Sequence, residues 1–426
     1  MHKPARCLIA CIILSMPVWL AGCSVVRSVS QEVNRAMDMA KGMVPASSYI
    51  LQTEDGWDLN VVRINGAAKD SGRLPVVLCH GFGHNGYLWR AGGTESMAQY
   101  LARAGLDVWI PDLRGSGSST KPGFLVMRTF FKMPPSSIID RAPRLIADFT
   151  KVNWNVDDHI TKDVPAILDL VKRETGCQAV NWVGHSMGGM VILAYMEDMG
   201  LVRRDVNGIV ALCSPMIIPH PLNDALAVIQ KNPELFKMLN FFVNQGIPSV
   251  VGAASAGSIQ TGLDYLYFNN ENMSRGAVME LLYYVVEDIS PGSVDQFMHL
   301  IATGRFLSAD GKTDYSSRLD RIEIPIFAVA GKADNIAEAE CMRFLYRDVR
   351  STDKAFKLFG VNSGAIRDYG HTDLIMGMHS KAEVFPVLTQ WLLAHSSSAP
   401  STRPATRPSA LNSQQALHAP VGRLAK

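Results

Sequence analysis

Neither sign of charge prevails in this sequence: 41 Lys and Arg face 39 Asp and Glu over 426 residues. So balanced a chain offers no basic stripe for a phosphate backbone, and no nucleic-acid partner is expected. Cysteine is scarce and scattered. Beyond Cys7, Cys11 and Cys23 only Cys79, Cys177, Cys213 and Cys341 remain. They are too far apart to read as a disulfide framework, and buried thiols are expected. His84, His159, His220, His299 and His379 show no metal-ligand spacing. Neither a metal nor an organic cofactor is implied. No internal repeat is visible, and the apolar run from Cys7 to Leu20 is too short to span a bilayer comfortably. Charged residues make up only 19% against 47% hydrophobic, which excludes global disorder and predicts a sizeable core.

What is present centres on residues 179–199. Val180, Trp182 and Val183 read as a short buried strand, and Met187, Met190, Val191, Ala194 and Tyr195 recur at helical spacing. Between them lies Gly184-His185-Ser186-Met187-Gly188, the G-x-S-x-G pattern of a nucleophile elbow. At so sharp a turn a side chain at 184 or 188 would collide with neighbouring backbone. Glycine at both positions removes the clash and leaves the Ser186 hydroxyl at the end of the strand.

Taken in order, the globular part opens with strands Ser48–Thr53 and Asp58–Ile64 around Glu54-Asp55-Gly56, a hairpin signal. Leu74–Cys79 is a continuous apolar run, suited to a strand buried on both faces. Ser96–Ala104 reads as a helix and Leu106–Ile110 as another buried strand. Residues 119–156 are irregular. Asp157–Arg173 is a helix, Gly208–Cys213 a strand, and 214–321 a long insertion with several helical patterns and apolar groups. Alternation then resumes with strand Ile324–Ala330, helix Ile336–Tyr346, strand Ala355–Phe359 and helix Ala382–Ala394. Strands alternating with helices predict a mostly parallel sheet with helices on its faces. Residues 396–426 hold no Asp or Glu and are rich in Ser, Pro and Ala, the composition of a disordered basic tail.

A serine hydroxyl is a poor nucleophile until a base takes its proton. Behind an elbow of this kind an acid and then a histidine follow, each on a loop after a later strand. Asp334 fits the acid position, and His371 fits the base position in Tyr369-Gly370-His371-Thr372-Asp373. Rival acids are Asp373, which reads as fixing its loop, and Asp112, which reads as capping a turn. His185 reads as a packing neighbour, and His80 as holding its own loop. Acyl transfer also needs donors for an oxyanion, here the backbone N–H groups of Met187, after the serine, and Phe82, in His80-Gly81-Phe82. Losing one such donor costs about 2.7–4 kcal/mol.

The order His80-Gly81, Asp112 to Gly117, Gly184 to Gly188, Asp334, His371 resembles the α/β-hydrolase superfamily. Asp163-Val164-Pro165-Ala166 and Gly370 to Gly377 are similar to its acid-lipase group. Two features depart from that group: Met187 stands where a polar residue is frequent, and the 119–156 loop is longer. The resemblance covers most of residues 48–395, with 214–321 corresponding to a helical lid or cap. It implies a serine esterase or lipase acting through an acyl-enzyme on an ester or lipid. The open alternatives are an acyltransferase using the same intermediate and a non-catalytic lipoprotein of this fold.

At the N-terminus, Lys3 and Arg6 precede the apolar run, which ends in Leu20-Ala21-Gly22-Cys23. That string resembles the lipobox of bacterial lipoproteins. It implies removal of residues 1–22, acylation of Cys23 and a membrane-anchored protein with 23–47 as tether. Loss of Lys3 and Arg6 leaves 39 basic against 39 acidic residues, a formally neutral chain. Ser24 in place of aspartate favours the outer membrane of the bacterial envelope. More than one acyl chain is needed for a lasting anchor, at about 0.8 kcal/mol per buried methylene.

Overall fold

The computed structural model describes residues 46–65, 72–121, 154–200, 204–218, 267–287 and 289–397. Residues 1–22, Cys23, nearly all of the expected tether, most of the 119–156 loop, residues 219–266 of the insertion and the tail beyond 397 lie outside them.

Among the described residues eight strands form one sheet: β1 (Ala46–Gln52), β2 (Asp58–Asn65), β3 (Val76–Cys79), β4 (Asp107–Pro111), β5 (Val180–His185), β6 (Val206–Leu212), β7 (Ile326–Gly331) and β8 (Lys354–Phe359). Their order is β1-β2-β4-β3-β5-β6-β7-β8. The β1–β2 hairpin and the β2–β4 pair are antiparallel, and every other pair is parallel. The hairpin, the buried strands and the return to alternation after residue 321 all lie where the sequence puts them. Ends shift by a few residues: β1 starts at Ala46, and β3 keeps only Val76–Cys79 of its apolar run.

Strand side chains alternate between two cores, as the pleat requires. Val77, Trp182 and Ile209 face one core with Met190, Ile167 and Leu345, while Leu78, Val183 and Val210 face the other with Leu101 and Leu388. Helices α1 (Met97–Arg103), α2 (Val164–Thr175), α3 (Met187–Tyr195), α4 (Pro291–Thr303), α5 (Ala339–Asp348) and α6 (Phe385–Ala394) supply most of these partners. Every residue of α3 is buried, so its apolar surface runs all the way round. Each fully buried Val, Leu or Ile contributes roughly 1.5–3 kcal/mol. No helix among the described residues is long and apolar enough to cross a membrane.

The described part of the insertion is fastened to the body. Glu287 N–H donates to the Gly83 carbonyl at 2.8 Å, and the Glu287 carboxylate accepts from Asn85 Nδ2 at 2.7 Å, Gly117 N–H and Lys121 Nζ. Glu280 accepts from Tyr87 Oη and Gly92 N–H. Residues 267–287 therefore form a docked wall beside the carboxyl ends of the parallel strands.

Candidate active site

Ser186 sits where β5 ends and α3 begins, with φ 52° and ψ −122°. A left-handed φ at a serine costs about 1–3 kcal/mol and persists only where its surroundings enforce it. They do so here. Ser186 N–H donates to the Leu212 carbonyl at 2.8 Å, and its own carbonyl accepts from Gly189 and Met190. A Cβ at Gly184 would strike the backbone of Gly188 and Gly189, and one at Gly188 the carbonyls of Cys79 and His80. The expected collisions are thus present, and the strand–turn–helix closes on backbone alone.

Asp334 follows β7 and His371 lies beyond β8, both at the carboxyl edge of the sheet. His371 Nδ1 donates to Asp334 Oδ2 at 2.8 Å. The other oxygen, Oδ1, accepts from the N–H groups of Ile336 at 2.9 Å and Ala337 at 2.8 Å. Burial alone would raise this carboxyl, yet the neighbouring His371 and the donors around it hold it below the usual carboxylate range. The group is an anion ready to face an imidazolium.

The rival acids are used otherwise. Asp112 accepts from Gly86 N–H, Ser118 N–H and Asn60 Nδ2, which ties β4 to two turns. Asp373 accepts from Gly370 N–H at 3.0 Å, Asn272 Nδ2 at 2.9 Å and Asn269 N–H, so it fixes the loop that carries His371. His80 takes the Leu113 N–H on Nε2 and donates from Nδ1 to the Gly81 carbonyl.

His185 joins the serine loop to the histidine loop. Its Nε2 donates to the His371 carbonyl at 2.9 Å, and the two rings lie 4.7 Å apart. Burial and the neighbouring His371 push the His185 imidazole down to about 3, so it stays neutral. Between Ser186 and His371 themselves no hydrogen bond occurs among the described residues. In unliganded sites that contact is often loose and tightens only around substrate.

Gly81 passes so close to the elbow that a Cβ there would lie 2.9 Å from Ser186 Cβ. The following residue, Phe82, anchors the loop by packing its ring 4.2 Å from that of Phe297 on α4. Phe82 and Met187 both border a small cavity of about 30 Å³, shared with Ser116, Trp154 and Ile289. Met187 is the first residue of α3, so its N–H has no intrahelical partner.

Asp163, in the stretch that carries the acid-lipase likeness, lies deeper. Arg114 donates to it from the backbone N–H and from Nε, and His159 Nδ1 is 2.8 Å away. Asp55 holds the far side of the same guanidinium. Burial opposes both charges, but the pairing lowers Asp163 and raises Arg114. This network braces the turn after β4 and so supports the cavity wall at Gly115 and Ser116.

One neighbour was not legible as such. Cys213 Sγ, an Asp334 oxygen and a His371 ring nitrogen lie within 4.8 Å of one another, the one group of three metal-capable side chains among the described residues. Asp334 and His371 already spend those atoms on each other, and a cation would have to displace their shared proton. The sequence placed Cys213 among buried thiols. Its only further signal is its place at the carboxyl end of β6.

A sequence profile described as alpha/beta hydrolase fold matches residues 75–371. Triacylglycerol lipase 2 of Arabidopsis thaliana is 25% identical over 368 residues, covering 78% of this chain and 81% of that protein. Gastric triacylglycerol lipase of Rattus norvegicus is 25% identical over 376 residues, covering 80% and 87%. Among solved structures, the monoacylglycerol lipase of Paleococcus ferrophilus aligns with a TM-score of 0.47 at 19% identity, over 79% of this chain and 99% of that one.

Proposed function

The chain belongs to the alpha/beta hydrolase fold family, and we propose that Ser186, His371 and Asp334 form its catalytic triad for cleaving carboxylic esters. It is an enzyme of the esterase and lipase type. The observation that carries the triad is the enforced left-handed turn at Ser186, at the same sheet edge as the bonded His371–Asp334 pair.

In this reading His371 Nε2 takes the Ser186 proton while Oγ attacks the ester carbonyl. Asp334 keeps the Nδ1 proton in place and balances the imidazolium. The oxyanion is received by the N–H groups of Phe82 and Met187, donors fixed before the substrate arrives. Collapse expels the alcohol with the proton held by His371. Water then repeats the attack on the acyl-enzyme and frees the acid. Relatives called triacylglycerol lipases support an acyl ester of a lipid as the substrate class.

The test is hydrolysis of 4-nitrophenyl esters from acetyl to palmitoyl by the wild type and Ser186→Ala. The wild type is expected to turn over, and the variant to lose three or more orders of magnitude with its fold intact. Equal rates for the two proteins would sink the assignment. Turnover only with an added alcohol acceptor would make the enzyme a transferase. The lipobox-like string further supports a bacterial envelope protein held, preferentially at the outer membrane, through acylated Cys23. Retention of Cys23→Ala in the membrane fraction would count against that anchor.

A further inference from the structure

Resting on the triad reading above, we propose that Cys213 is a positioning residue, its thiol occupying the last free acceptor site of the Asp334 carboxylate. A carboxylate has about four lone-pair positions. Three are filled, by Ile336 N–H and Ala337 N–H on Oδ1 and by His371 Nδ1 on Oδ2. Cys213 Sγ reaches the same small volume, within 4.8 Å of both Asp334 and His371.

The chain goes out of its way to put a thiol there. Cys213 has φ 49°, a left-handed backbone that a Cys adopts only under constraint, and its N–H is spent on the Val329 carbonyl at 2.9 Å. The side chain is fully buried, so no water competes for the carboxylate. Burial, followed by the charge of Asp334, pushes the thiol well up, and it keeps its hydrogen. A protonated thiol facing an anion is a weak donor with one place to point.

The consequence falls on His371. A donor on Asp334 draws charge from the carboxylate and moderates its hold on the imidazolium. Without the thiol, Asp334 holds the Nδ1 proton more tightly and favours the protonated ring. That removes the base form needed to accept the Ser186 proton.

Cys213→Ala, Cys213→Ser and Cys213→Gly separate this role from packing. Alanine and glycine delete the donor, serine restores one, and glycine also suits the left-handed backbone should alanine fail to fold. Steady-state ester hydrolysis would be followed across pH, with the low-field proton resonance of His371 Nδ1–H recorded on each protein. Alanine and glycine are expected to lower kcat/KM about tenfold with KM unchanged. The acid limb of their profile moves to higher pH and the resonance shifts. Serine keeps the wild-type limb and most of the rate. An unmoved limb and resonance in the alanine and glycine variants overturns the proposal, as does a serine variant that behaves like alanine. If no protein hydrolyses ester, the triad reading fails by itself, and the resonance still decides whether the thiol acts on the pair.

Discussion

At the scale of single residues, the site depends on atoms that are missing as much as on those present. Gly184 faces the backbone of Gly188 and Gly189 across the elbow, and the carbonyls of Cys79 and His80 close over Gly188. Neither wall is a side chain that could swing aside. Gly188→Ala is therefore expected either to unfold the elbow or to push Ser186 off its left-handed φ. The measurement is soluble yield, melting temperature and ester turnover. Loss of most turnover is expected, with a destabilisation of about 1–3 kcal/mol from overpacking. An active variant of wild-type stability would show that the strand–helix turn is looser than its contacts indicate. The same short range explains what could be read directly. The constraints on Gly184 and Gly188 come from their own turn and from the strand beside it, so a local motif carries them. Cys213 meets Asp334 from 121 positions away, a difference of their numbers, and nothing in either neighbourhood announces the meeting.

At the scale of elements, α3 carries the serine at one end and a buried acid without a hydrogen-bond partner for its carboxylate, among the described residues, at the other. Glu197, just past its last turn, is fully buried, and neither carboxylate oxygen has a hydrogen-bond partner among the described residues. Burial, reinforced by Asp198, raises its carboxyl to about 9. The folded protein then holds a proton that the unfolded chain releases near pH 4.5. Stability from this group is complete below that value and drains away as pH rises toward 9. Glu197→Gln removes the titration. Its melting temperature should exceed the wild type's at pH 8 and match it near pH 4, so the difference grows with pH. A constant offset would mean that Glu197 is not protonated in the fold. Periodicity revealed α3 and its neighbours because an apolar face of helical period needs no knowledge of its partner. It said little of 267–287, whose anchors are polar. Asn85 and Gly117 meet Glu287, and Asn272 meets Asp373, across long stretches of chain. The length and helical patterns of the insertion read as a lid or cap, and its carboxylates dock the described portion of it against the body.

At the scale of the whole molecule, the sheet sets where both ends of the domain leave it. Ala46 pairs with Ile64, and Ile64 with Val108 at the start of β4. Ser396 accepts from Leu74 N–H just ahead of β3. Both ends thus emerge at the amino edge of the parallel strands, while Ser186, Asp334 and His371 occupy the carboxyl edge. A chain acylated at Cys23 would attach to its membrane from the side opposite the site. The 22 residues between Cys23 and Ala46 reach about 75 Å at full extension. That is long enough to let a domain with strands of about 20 Å turn its site back to the bilayer. The arrangement separates two rates. On a soluble short-chain ester, Cys23→Ala should leave the membrane fraction with kcat/KM unchanged, because β1 enters the sheet at the edge opposite the proposed triad. On long-chain esters carried in the same bilayer, deleting about half of residues 24–45 should slow the anchored enzyme severalfold and leave soluble-ester turnover intact. Equal turnover of bilayer ester by full and shortened tethers would mean that the substrate is met in solution, and that the anchor serves only to retain the enzyme.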